Sequence, residues 1–389
     1  MSTQTMLPLL YTAAALCAGT YIVFGRPRWT NKSSPSGEPV VTEEPQSYEH
    51  PFITLLVAWS MTLDAFKEWL RFTCMENADV AQATNGKAKD IWNNMLDPLF
   101  TSLAAEDGDD PPVIFMHEAG DKMEPDGVAV EWLNNLTLQL ADVWSAIAYI
   151  MSVSASFDDR ERTKDWYLEL LMVFSILLRK IALSSSNTLE VPSVVHILWT
   201  DRRELILQPF PQNTLLTSRP QSPSPVKAVP GHALGSMPPT SILWDKLKEY
   251  RKAELESALK AADLQNNTNT FDKFTSLPAH ESSNLGQCAE TVPYLCVMGG
   301  GLKPGTKLYG LSFKPEWIGR AMENFEASNV DASALLLYLH PRGFMKACPS
   351  CCSVLLAMNV QYSQYKRRPN GKTLLQHLNG VNEPCGTEL

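Results

Sequence analysis

Apolar side chains recur at three- and four-residue steps over long stretches of this chain. Within residues 53–72 these are Leu56, Trp59, Leu63, Phe66 and Leu70. That spacing lays them along one face of a helix, with polar residues on the other. The same style returns over 128–151, with Trp132, Leu136, Leu140 and Trp144, and over 162–183, with Trp166, Leu170, Phe174 and Leu177. Residues 51–205 therefore read as an N-terminal all-α region. An acidic turn, residues 106–112, interrupts it. The turn lacks the ligand spacing and closing Glu of a calcium-binding EF-hand loop, and reads as a solvated loop.

The periodicity then stops. Residues 210–240 hold seven prolines among 31 positions. Proline removes a backbone donor and fixes φ, so a helix or central strand is not expected there. Residues 206–240 read as a linker, with a domain of 241–389 after it. That domain opens on a charged amphipathic helix, 241–264. Residues 308–313 (LYGLSF) and 334–340 (ALLLYLH) are short apolar runs bounded by turn residues and read as strands. Segments 288–298, 316–325 and 351–362 read as helices. Alternating helix and strand predicts a three-layer α/β domain with crossover helices.

Near the start, residues 6–24 carry no charge and are followed by Arg26, Arg28 and Lys32. The stretch is long enough to cross a bilayer and lacks the basic leader of a signal peptide. It reads as a membrane anchor, with the rest of the chain held on the cytoplasmic side by those cations, or as a buried helix. Residues 31–50 are polar and Pro-rich, as in a linker.

Charge separates the two parts further. The net charge of −9 is shared as −11 over residues 1–240 and +2 over 241–389. A surplus of acid gives no general support for binding a phosphate backbone. The one basic cluster of the final domain is Lys366, Arg367 and Arg368, with Lys372 nearby and Tyr362 and Tyr365 interleaved. It reads as a solvated helix end, with phosphate contact as the functional alternative.

Cysteine placement carries the chemistry. Six of the eight cysteines lie after residue 285: Cys288, Cys296, Cys348, Cys351, Cys352 and Cys385. In a chain of this length, a local cluster with C-x-x-C spacing points to metal or redox chemistry before structural disulfides, and hence to a reducing, intracellular compartment. Cys288-Ala289-Glu290 opens one predicted helix, and Cys348-Pro349-Ser350-Cys351 opens another. Thiolates are favoured at helix N-termini, where free N–H groups lower the thiol pKa. Three such ligands leave a catalytic zinc one open position for water. Glu290, two residues beyond Cys288, is placed to move a proton without sharing the ligand's direction.

These motifs resemble the cytidine-deaminase-like superfamily of zinc enzymes, whose signature is H/C-x-E followed by P-C-x-x-C. The resemblance covers about 110 residues at the C-terminus, and with the helical region before it looks similar to a fungal branch related to bacterial toxin-type deaminases. It implies a cytidine-deaminase-like fold and Zn2+ held by Cys288, Cys348 and Cys351. It further implies Glu290 as general acid/base and a cytosine or adenine moiety as substrate, in a nucleoside, nucleotide or single-stranded nucleic acid. Two departures stand out. Ala347 occupies the place of the proline before the pair, and 57 residues (291–347) separate the two motifs, longer than in compact free-nucleoside enzymes.

Weaker candidates surround the motifs. His340, Tyr294 and Phe344 are placed to contact or stack on a base, and each has ordinary packing as its alternative. A purely structural zinc would take a fourth ligand from Cys352, Cys296 or His340. In that case the chain is a non-catalytic interaction protein, an acidic helical module with a structural metal in a deaminase-like fold.

Overall fold

The computed structural model describes residues 52–104, 113–119, 122–131, 137–184, 189, 191–206, 228–237, 242–266, 271–272, 276, 286–298, 307–325, 334–335, 338–339, 343–345, 351 and 361–364. The apolar stretch 6–24, the acidic turn 106–112 and the basic cluster 366–368 lie outside them. Among the described residues, no helix is long and apolar enough to cross a membrane.

The first predicted helix is two. α1 (Leu55–Ser60) and α2 (Leu63–Met75) are divided at Thr62, whose side chain accepts a hydrogen bond from Ala65 N at 3.1 Å. This is an N-cap, satisfying a donor that the helix itself leaves orphaned. α3 (Ala78–Ala83), α4 (Lys87–Ile91), a π-helical turn (Trp92–Leu96) and α5 (Asp97–Ala104) follow. Pro98, just beyond that turn, has no N–H to continue the regular α ladder.

The region is not all-α. β1 (Met116–Ala119) pairs with β2 (Lys122–Pro125), and β3 (Val128–Glu131) pairs with β4 (Thr137–Leu140), both antiparallel. The expected helix over 128–151 is thus confined to α6 (Val143–Ser154). The four-residue spacing from Trp132 to Trp144 was shared with a two-residue alternation. Val128 and Val130 are buried while Ala129 and Glu131 are exposed, which is the signature of a half-covered strand. α7 (Lys164–Ser184) forms as expected.

Beyond α7 the chain builds a five-stranded sheet from β5 (Val195–Ile206), β6 (Ala228–Ser236), β7 (Lys307–Phe313), β8 (Phe344–Met345) and β9 (Gln361–Gln364). The order runs β6-β5-β7, after which β8 and β9 share the far side of β7. β5 is antiparallel to both neighbours, and β9 runs parallel to β7. β5 thus lies inside the expected helical region and β6 inside the expected linker. The two strands pair with each other, and residues Tyr48–Leu389 cluster as one compact unit. Pro230 is tolerated because β6 is the outer strand, where a missing N–H breaks no central ladder.

Helices cover the sheet. α8 (Ile242–Asn266) and α9 (Thr291–Met298) pack together, and α9 packs on β5 and β6. On the opposite face, α7 lies against β5 and β7, where Trp199 stacks on Tyr167 at 4.5 Å and on Tyr309 at 5.7 Å. α10 (Glu316–Met322) joins α7. α6 packs on β6, and Ser152 Oγ accepts a hydrogen bond from Leu234 N at 3.0 Å. A donor on the outer strand is thereby satisfied without another strand.

The described residues of the run 334–340 are not in a strand. Ala334, Leu335, Tyr338 and Leu339 are helical, and Leu335 and Leu339 are fully buried. A spacing of four places both leucines on one helix face. Short apolar runs do not distinguish strand from helix by periodicity, and this one lacks the β-branched residues that favour strands.

Candidate metal centre

Cys288 and Glu290 lie in a turn over 286–290 that leads directly into α9. Thr291 N donates to Cys288 O at 3.0 Å and Tyr294 N donates to Glu290 O at 2.9 Å, so the turn becomes helix at Glu290 itself. The motif is thus at the positive end of α9, where a thiolate or carboxylate is favoured.

Two glycines set the position of this turn. Gly286 has φ +84°, a left-handed conformation, and a Cβ there would lie 2.1 Å from Lys248 O on α8. A Cβ on Gly235 of β6 would lie 2.5 Å from Ala289 O and 2.3 Å from Pro293 Cδ. The absence of both side chains lets helix and sheet close on the turn from two directions.

Cys351 arrives from far along the chain. Its Sγ, the Sγ of Cys288 and a carboxylate oxygen of Glu290 all lie within 4.8 Å of one another. All three residues are buried: Cys288 is 6%, Glu290 4% and Cys351 1% exposed. A buried group of two thiols and a carboxyl can hold a metal ion, because a cation stabilises the deprotonated forms that burial otherwise disfavours.

Sequence reasoning missed what lies beneath Glu290. Ser312 Oγ donates to Glu290 Oε1 at 3.1 Å and sits 2.8 Å from Nδ1 of His196, which is fully buried. A hydroxyl has one proton. With that proton directed to the carboxylate, His196 must carry its hydrogen on Nδ1 and donate to Oγ. His196 and Ser312 are direct cross-strand partners on β5 and β7, and His196 faces Gly235 on its other side. Gly235, His196 and Ser312 therefore form one row across the sheet, under the 286–290 turn. The signal in the sequence was a polar side chain set among apolar neighbours, His196 in VVHILW and Ser312 in LYGLSF.

Cys348 and His340 lie outside the described residues, as does Cys352. Tyr294 is 1% exposed, among the largest fully buried side chains. Phe344 of β8 is half-buried and meets Phe313 edge-on at 5.2 Å. Cys296 of α9 is buried and outside the Cys288–Glu290–Cys351 group, and burial pushes its thiol pKa well up.

In comparisons with known proteins, no family model, no curated protein and no solved structure matches this chain.

Proposed function

We propose that this chain is a zinc-dependent hydrolytic deaminase acting on a cytosine or adenine moiety of a nucleoside, nucleotide or single-stranded nucleic acid. The observation that carries the reading is the convergence of Cys288, Glu290 and Cys351 within 4.8 Å. These are the first thiol and the acid of one motif and the last thiol of the other. The strand order supports it too. An antiparallel β6-β5 pair leads through the first motif into β7, and the chain beyond the second motif returns as β9 parallel to β7.

Cys288 and Cys351, joined by Cys348 from the C-x-x-C spacing, would hold the ion. Soft thiolate ligands suit zinc, and three of them leave one position open. Zinc, when bound, supplies the Lewis acidity that makes water a nucleophile at neutral pH.

Glu290 moves the proton. It takes one from the attacking water and delivers one to the exocyclic amine as a C–O bond forms at the ring carbon and that carbon's bond to the exocyclic nitrogen breaks, releasing ammonia. The Ser312 hydroxyl fixes the direction of its carboxylate. Burial around Glu290 keeps bulk water from competing for that proton.

The test combines metal analysis with ammonia-release assays on the full chain, offered nucleosides, nucleotides and single-stranded nucleic acids in turn. E290A is expected to retain zinc and lose turnover, whereas C351S loses both. Equal metal loss in the two variants contradicts the assigned roles. Retained zinc with no ammonia from any substrate class favours the structural-metal alternative.

A further inference from the structure

We propose that Ser312, oriented by His196, keeps Glu290 out of the metal's coordination shell and so preserves it as a proton carrier. The inference rests on the reading of the site given above and concerns what stops the site from closing on itself. A carboxylate oxygen within 4.8 Å of two ligand sulfurs is near enough to become a ligand by a small rotation. Zinc binds carboxylate oxygen at about 2.0–2.2 Å, and a fourth protein ligand would complete a closed, non-catalytic site.

The restraint comes from the sheet. Ser312 Oγ reaches Glu290 Oε1 from β7, and His196 Nδ1 holds that hydroxyl from β5. Both side chains are short of rotational freedom: His196 is fully buried, Ser312 is 3% exposed, and the strand register pairs them directly. The carboxylate is thus tied to a rigid floor at the end away from the backbone. His196 Nδ1 also lies 3.9 Å from Glu290 Oε1, so the three groups meet at one point. Partners outside the metal's own ligands fix the orientation of the groups around it.

Cobalt(II) is the probe, loaded into the full-length chain and read by visible absorption. The wild type is expected to show a thiolate charge-transfer band with d–d bands of an open site. In S312A the d–d bands should shift and cobalt should bind more tightly, as Glu290 joins the ion as a further ligand. In S312A/E290A the bands should return to the wild-type position, and S312T should never leave it. Superimposable wild-type and S312A spectra with cobalt bound overturn the inference while leaving the metal site intact. No charge-transfer band in the wild type overturns the underlying reading instead. Should circular dichroism show S312A unfolded, H196F provides the same test, because it removes the N–H that orients Oγ at similar ring volume. A shift in H196F supports the restraint, and its absence overturns it.

Discussion

Arg251 Nη2 lies 2.6 Å from Asp142 Oδ2, with both side chains almost wholly buried. The guanidinium also donates to Ser145 Oγ at 2.7 Å and to the carbonyl of Ser236 at 3.4 Å. Asp142 meanwhile caps α6 by accepting from Ser145 N at 2.9 Å. One cation thus joins α8, α6 and the end of β6. Removing one partner of such a pair strands the other in the interior, at a cost of about 3–5 kcal/mol.

R251A and D142N are each expected to lower unfolding stability by roughly that amount. D142N keeps the capping geometry, so its loss reports the charge. The double variant should cost much less than the sum, because neither charge is then left alone. Urea titration of the four proteins measures it, and additivity would show that the contact carries no coupling.

Gly286→Ala forces a side chain into left-handed φ and onto Lys248 O, at a cost of about 1–2 kcal/mol for the conformation alone. The damage should be local. On the proposed zinc reading, bound zinc is expected to fall well below the wild-type level while the far-ultraviolet spectrum keeps its shape. Full zinc occupancy in G286A would show that the turn tolerates another position.

His232 sits against Trp166 at 5.2 Å and Tyr167 at 6.0 Å, wholly enclosed. Burial, helped by the charge of Arg162, pushes its imidazole pKa down from 6.5 to about 3. The unfolded chain therefore binds this proton first, and the contribution of the neutral ring is complete above about 6.5 and is lost as pH falls toward 3. Between pH 6.5 and 5 this amounts to about 2 kcal/mol. Denaturation of wild type and H232F across that interval should show the wild type alone losing this increment. Parallel curves would contradict it.

Cys74 and Cys296 are both buried, and desolvation raises both thiol pKa values far above the ordinary range. Only the thiolate reacts with alkylating reagents. In the folded protein both should resist iodoacetamide, and both should label within minutes once denaturant is added. Peptide mass spectrometry distinguishes the sites, and prompt native labelling of Cys296 would place α9 in a looser setting than the one described.

The helices with long amphipathic faces were legible in the sequence. α7 and α8 appear where the spacing of Trp166, Leu170 and Phe174, and the charged pattern after residue 241, put them. β7 was equally plain, bounded as it is by turn residues. β5 and β6 were not, for different reasons. The first half of β5, residues 195–200, is buried on both faces, so its apolar run has no alternation to separate it from helix. β6 carries Pro230 and two glycines, a composition that only an outer strand accepts. The approach of Cys288 and Glu290 to Cys351 followed from ligand chemistry, whereas the His196–Ser312 floor depended on a strand register that no local pattern encodes.

The meeting of Cys288 with Cys351 has a consequence for the order in which the molecule is made. The two thiols flank β7 in sequence, so the pocket they share does not exist on a ribosome-bound chain that ends short of residue 351. Translation delivers Cys288 long before its counterpart, and until then that sulfur has only the helix end beside it. A chain cut before residue 351 would therefore lack β9 and leave Cys288 and Glu290 without the second thiol of their group.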